Sequence, residues 1–216
     1  GNELFKTYLS KTIAVDACVS PDNAEFAYAE VNNSGTTIQS NIKIISIKDV
    51  KEKNTEPKYE YNAVQGSLIL RIKYQDKSRL ICMYDDSIHK FETGVDVELT
   101  KLNEDNPKIT FADIELNNYV FRTYEKSTSL FSADTIIEMQ NTSNGKENVY
   151  TIEEVAKSVV SNNNVIAVNL GNEVYFVETN AWLIKRYSSS QVIEKIILGD
   201  GVAGIIYSDK IEIVNL

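Results

Sequence analysis

This 216-residue chain has one histidine, His89, which excludes a multi-histidine metal site. Its two cysteines, Cys18 and Cys82, form no C-x-x-C pair, so a cysteine-rich zinc site is missing as well. No D-x-[DN]-x-[DN]-G loop occurs for calcium, and neither metal nor cofactor is expected. Arginine is scarce, at Arg71, Arg79, Arg122 and Arg186 only. With 22 basic against 31 acidic residues the chain carries −9 at neutral pH. Nucleic-acid binders neutralise phosphates with clustered Lys and Arg, so this balance argues against nucleic acid as a partner. Anionic membrane surfaces are disfavoured for the same reason. No apolar run approaches the ~18 residues of a membrane-spanning helix. The motifs G-x-S-x-G, H-E-x-x-H and the P-loop are all absent.

What is present suits a folded β protein. Hydrophobic residues make up 43%, with twelve Tyr and seven Phe, enough for a core. The acidity reads as a solubility device. Both cysteines sit in or beside apolar strands and read as small buried hydrophobes without a disulfide.

Five stretches repeat one plan of strand, polar turn, strand, short turn, strand. The first turns are Ser20-Pro21-Asp22-Asn23, Gln75-Asp76-Lys77-Ser78, Asn117-Asn118, Asn162-Asn163-Asn164 and Gly199-Asp200-Gly201. The strand after each turn closes on Tyr28, Tyr84, Tyr124, Leu170 and Tyr207, spaced by 56, 40, 46 and 37 residues. Third strands align at 41–47, 87–91, 135–139, 173–177 and 210–214. Fourth strands align at 58–61, 97–100, 147–152 and 180–187, and residues 1–8 resemble the last of these through matched Leu, Lys and Tyr. Four antiparallel strands per period is the pattern of a β-propeller blade, because one such sheet cannot cover both its faces alone. The expected fold is therefore all-β, a single propeller domain over 1–216 with about five four-stranded blades. Their bounds are about 10–61, 66–100, 108–152, 155–188 and 192–216 plus 2–9. Either the N-terminal strand closes the last blade by pairing with residues 210–215, or the chain is a fragment of a larger propeller.

Two segments qualify that pattern. Thr151-Ile152-Glu153-Glu154 is a capping box, and Ile152, Val155, Ala156 and Val159 follow helical spacing, so a helical turn competes there. The insertion over 48–58 alternates in charge sign and reads as a solvated loop. A second insertion lies at 126–133.

Chemistry is sparse. Gly199-Asp200-Gly201-Val202-Ala203-Gly204 matches G-x-G-x-x-G, but a strand and not a helix is expected after it, so the glycines serve a tight turn. Asp85-Asp86-Ser87-Ile88-His89 brings carboxylate, hydroxyl and imidazole close in sequence. A strand sends Ser87 and His89 to one side and leaves the aspartates outside triad geometry, so His89 is expected half-exposed and non-catalytic. The adjacent pairs Asp85-Asp86, Glu104-Asp105 and Glu153-Glu154 point to opposite faces of a strand. The repeated tyrosines are expected to bury their rings between blades with the hydroxyl at a wet edge.

The segment Val19-Ser20-Pro21-Asp22-Asn23 with Phe26-Ala27-Tyr28-Ala29 resembles the S-P-D-G turn of WD40-like, TolB-type bacterial propeller repeats, with Asn23 where glycine is usual. Residues 166–171, 182–187 and 203–213 look like an uncharacterised propeller-like family of Gram-positive bacteria, domain of unknown function 5711. That resemblance covers the chain. It implies an extracytoplasmic, cell-surface protein with a membrane anchor and more propeller upstream of Gly1, and it brings no catalytic residues with it.

The expected function is a non-catalytic binding or scaffold module with a protein or cell-envelope ligand. The alternative is a carbohydrate-active hydrolase or lyase using carboxylates at the channel mouth. The expected binding residues lie on accessible turns, Asp22, Asp86, Asp200 and Asp209, with Trp182 as a rim contact.

Overall fold

The computed structural model describes residues 3–32, 34–102, 108–130 and 132–216. Alternation of Ile, Val and Tyr with polar residues makes strands, because successive side chains leave a strand on opposite faces. Ile42 and Ile44 go into the core while Lys43 between them pairs with Glu30 on the other face at 2.7 Å. Nineteen strands and one short helix form among the described residues.

The strands fall into five antiparallel sheets, each folded in chain order. The first holds β1 (Thr12–Val19), β2 (Glu25–Asn32), β3 (Ser40–Ser46) and β4 (Tyr59–Asn62). The second holds β5 (Ile69–Tyr74), β6 (Arg79–Tyr84), β7 (Ser87–Glu92) and β8 (Val95–Lys101). The third holds β9 (Ile109–Asp113), β10 (Tyr119–Ser129), β11 (Ser132–Asn141) and β12 (Glu147–Ile152). The fourth holds β13 (Ser158–Asn162), β14 (Val165–Asn169), β15 (Glu173–Glu178) and β16 (Leu183–Ser188). The fifth has three strands, β17 (Lys195–Leu198), β18 (Val202–Ile206) and β19 (Ile211–Asn215). In four of the five, the turn between first and second strands carries a left-handed residue: Asn23 (φ 57°), Asn118 (54°), Asn163 (54°) and Gly201 (69°). Asparagine tolerates that conformation, which accounts for Asn23 standing where the resembled motif has glycine.

The chain divides into two compact units, Gly1–Asn103 and Glu104–Leu216. In the first, β1 lies beside β5. Ala27, Ala29, Ile42 and Ile44 of the first sheet pack on Ile72, Leu80, Cys82 and Phe91 of the second. In the second, β13 lies beside both β9 and β17. Phe121, Ile137 and Met139 pack on Ile166 and Val168, and Val174 and Phe176 pack on Ala203, Ile205 and Val214. Within each unit, then, the first strands of consecutive sheets are neighbours and the sheets bury one another's faces, as propeller blades do.

Several expectations need correcting. Thr151 and Ile152 end β12, paired with Ile136 and Thr135, and no helix follows. Burying Ile152 in a sheet outweighs a marginal capping box. A helix forms instead in the charged insertion: α1 (Ile47–Lys51) is capped by the Ser46 hydroxyl, which accepts from the Asp49 amide at 3.2 Å, and it buries Val50. The second insertion is part of the long β10–β11 hairpin. Residues 3–9 form no strand. Phe5 and Leu9 lie against Phe26, Tyr28, Ile45 and Val50 instead. Tyr84 and Tyr207 are buried between sheets as expected, whereas Tyr28 is buried under Phe5, Leu9 and Val50, and Tyr124 is half-buried and donates to Glu138 at 2.9 Å. Glu104 and Asp105 lie outside the described residues. No helix among the described residues is long and apolar enough to cross a membrane.

Candidate functional site

The period of a strand puts Ser87, His89 and Phe91 on one side of β7, toward the first sheet. Thr93 and Gly94 both take positive φ, 50° and 85°, the signature of a two-residue type I′ hairpin. That tight turn sets the register of β8, which places Asp96 opposite Phe91 and Glu98 opposite His89. The three acidic and imidazole side chains therefore meet in one cleft, also lined by Asn62 at the end of β4 and by Ala63 and Val64 of the β4–β5 connection.

A hydrogen-bonded chain runs through it. Asp96 Oδ1 lies 2.7 Å from His89 Nδ1, and His89 Nε2 lies 3.1 Å from Ser87 Oγ. Ser87 donates to Asp86 Oδ1 at 2.8 Å, and Ser67 donates to Asp86 Oδ2 at 3.0 Å. The Tyr84 ring meets the imidazole edge-on, with centroids 5.0 Å apart. Asp, His and Ser are thus arrayed as in a nucleophilic triad, with a carboxylate that arrives from β8 and not from the neighbouring Asp85-Asp86, the pair expected to lie outside that geometry. One feature differs from a triad: Ser87 Oγ has a single hydrogen and two acceptors within reach, Asp86 Oδ1 at 2.8 Å and, in the tautomer that places Nδ1–H toward Asp96, His89 Nε2 at 3.1 Å. Ser87 is also buried, at 6% exposure.

Of the five residues expected to bind, only Asp86 belongs to this cleft. Asp22 is exposed and stabilises its own turn, accepting from Ser20 Oγ at 2.7 Å and from the Ala24 amide at 3.1 Å. The Ser20 hydroxyl is the main influence holding its carboxyl below the usual value. Asp200 and Asp209 are exposed at opposite ends of β18, so they share no site. Gln191 Nε2 approaches both oxygens of Asp209 at 3.4 Å. Trp182 is 73% exposed in the β15–β16 turn, just ahead of β16, and its amide donates to Asn180 Oδ1 at 3.0 Å. Asp96 and Glu98 escaped sequence reasoning. The signal was there in the Thr93-Gly94 turn, whose hairpin register aligns β8 with β7.

In the glycine-rich segment 199–204, Gly201 makes the turn and Gly204 lies within strand β18. Among the described residues no group of three or more His, Cys, Asp or Glu is placed to hold a metal ion.

No protein-family model matches the chain, and no curated protein matches it. Solved structures do resemble it in fold. Hsv2 of Kluyveromyces marxianus superposes at a TM-score of 0.50 with 10% identity, over 95% of this chain and 73% of that one. Sqt1 of Chaetomium thermophilum gives 0.52 with 8% identity, over 95% and 59%. BBS1N, solved in complex with ARL6DN, gives 0.52 with 14% identity, over 96% and 62%. This chain thus spans less than two thirds of the last two. At these identities the likeness concerns fold alone, and that fold is WD40-like and propeller-like.

Proposed function

We propose that this chain is a non-catalytic, protein-binding β-propeller module whose cleft at His89 takes a basic side chain of its partner. The observation that carries this reading is the convergence of carboxylates on one cleft around His89, where Asp86 competes with the imidazole for the single hydrogen of the buried Ser87. Three carboxylates, Asp86, Asp96 and Glu98, line a cleft walled by Tyr84, and among the described residues Glu98 has no ion-pair or hydrogen-bond partner. Such a cleft suits a lysine or arginine head over an aromatic ring. The overall charge of −9 steers basic partners toward it. BBS1N, a fold neighbour, was solved with a protein partner, which supports a binding role without identifying one here.

The finer architecture belongs to the same proposal: five blades of one propeller or of a larger one, in a cell-surface protein akin to domain of unknown function 5711. Fractionation of cells expressing the native gene tests the location.

The binding test is direct. Titration with N-acetyl-arginine methylamide, followed by ring resonances of His89 and Tyr84, is expected to shift both, and N-acetyl-glutamate methylamide is expected to shift neither. Glu98→Gln should weaken the arginine response severalfold. No shift with arginine sinks the cleft as a basic-residue site. Turnover of a glycan or ester panel that His89→Ala abolishes would sink the non-catalytic reading.

A further inference from the structure

The array around His89 lacks one hydrogen when the imidazole is neutral. Three contacts join four groups: Asp96 Oδ1 to His89 Nδ1 at 2.7 Å, His89 Nε2 to Ser87 Oγ at 3.1 Å, and Ser87 Oγ to Asp86 Oδ1 at 2.8 Å. Each needs a hydrogen of its own. A carboxylate only accepts, a hydroxyl brings one hydrogen and a neutral imidazole brings one more. In either tautomer, then, one of the three contacts sets two acceptors face to face. Asp86 cannot turn away, because its second oxygen takes the Ser67 hydroxyl at 3.0 Å. An imidazolium removes the conflict. It donates to Asp96 from Nδ1 and to Ser87 from Nε2, and Ser87 donates to Asp86. The added proton resides on the ring, since imidazole is a stronger base than a carboxylate.

The groups that face the ring come from four elements. Strand β8 presents Asp96, Glu98 and, across from Ser87, exposed Lys101. The β6–β7 turn presents Asp86, which lines the same cleft. Strand β6 presents Cys82, paired with His89, and Tyr84, whose ring meets the imidazole edge-on. From the first sheet come Tyr61, stacked near Phe91, and Asn62, while the β4–β5 connection adds Ser67 and no charged residue. Burial raises the Cys82 thiol and the Tyr84 and Tyr61 hydroxyls, so none of these three ionises near neutral pH. An imidazole does change charge there.

We propose that the His89 cleft is a proton-gated cation site, in which the imidazolium is a built-in positive charge that gives way to the basic side chain of a partner as pH rises. With the ring charged, the carboxylates of Asp86, Asp96 and Glu98 are partly neutralised from within. With the ring neutral, they face the cleft uncompensated, and one acceptor of the array lacks a hydrogen. A guanidinium or ammonium head supplies both the charge and the hydrogen. Binding of the cation and loss of the proton are therefore linked, and each favours the other to the same degree. Resting on the reading of this cleft as a basic-residue site, the gate adds its control by pH.

The probe is N-acetyl-arginine methylamide, whose guanidinium keeps its charge throughout. Calorimetric titration of the full chain is expected to give about tenfold tighter binding at about pH 8 than at about pH 5.5, either side of the ordinary imidazole range. Midway between them, the binding heat should differ between two buffers of unlike ionisation enthalpy, which reports the proton released and needs no variant. His89→Gln retains hydrogen-bonding groups and carries no charge. Whatever its absolute affinity, the ratio between the two pH values should shrink to about twofold, since carboxylates stay largely ionised over this range. Equal affinity at both pH values without proton release overturns the gate and leaves the basic-residue cleft standing. A pH dependence that His89→Gln keeps in full also overturns it, by assigning the proton to another group. No binding at either pH overturns the gate and the cleft together.

Discussion

Asp16 and Ile72 tie two sheets together: the Asp16 carboxylate accepts from the buried Ile72 amide at 2.9 Å. Its other oxygen takes the amide of Ala17, and a bulge between Ala14 and Asp16 sits at this point of β1. The second unit repeats the device. Asp113 takes the Ile114 amide with one oxygen and the Ser161 hydroxyl of β13 with the other, at 3.1 Å. An aspartate on a first strand thus reaches the first strand of the next sheet in both units. Asp16→Ala is expected to destabilise the first unit by about 1–3 kcal/mol, because it strands a buried amide. Asp16→Asn keeps an acceptor and should cost less. Urea denaturation of the two variants measures the difference.

Phe176 is fully buried between the fourth and fifth sheets. Phe176→Ala should cost about 3–5 kcal/mol through lost burial and the cavity left behind. The shift in urea midpoint at constant slope reports it.

Burial pushes the Cys18 thiol up from 9.0 to about 12, and burial likewise raises Cys82. An acid whose folded value is raised contributes stability below its unfolded value, and that stability is lost as pH rises toward the folded one. Stability should therefore fall between about pH 9 and 12. In Cys18→Ala the decline should be shallower by up to about 1.4 kcal/mol per pH unit. Native alkylation of both thiols should be slow and become complete on unfolding.

Asn23 holds φ at 57° in the β1–β2 turn. Asn23→Gly should be neutral or stabilising, whereas Asn23→Val should cost about 1–3 kcal/mol in backbone strain. Thermal melts of the pair separate conformational strain from the lost amide.

Much of the fold was legible because strands and turns are local. Four of the five first turns show their left-handed residue as Asn or Gly in the sequence itself, and the third strands fall where their alternation put them. The cleft was less legible. Ser87 and His89 share a side by period alone, but Asp96 joins them only through the register of a hairpin, and Asp86 competes with the imidazole for the serine's hydrogen. The inter-sheet contacts of Asp16 and Asp113 have no local signature, since nothing near them in the chain shows that a second sheet lies within hydrogen-bond reach.

By itself the sequence determined an all-β chain, acidic and arginine-poor, in five repeated meanders, because side-chain alternation and turn residues act within a few positions. Tertiary structure decided the rest. It melted the capping box at Thr151 by burying Ile152 in a sheet, and it built a helix at 47–51 around buried Val50. It laid residues 3–9 on the first sheet through Phe5 and Leu9, leaving that segment without strand pairing. Each outcome turns on which apolar face finds a cover, and a cover is supplied by residues distant in the chain.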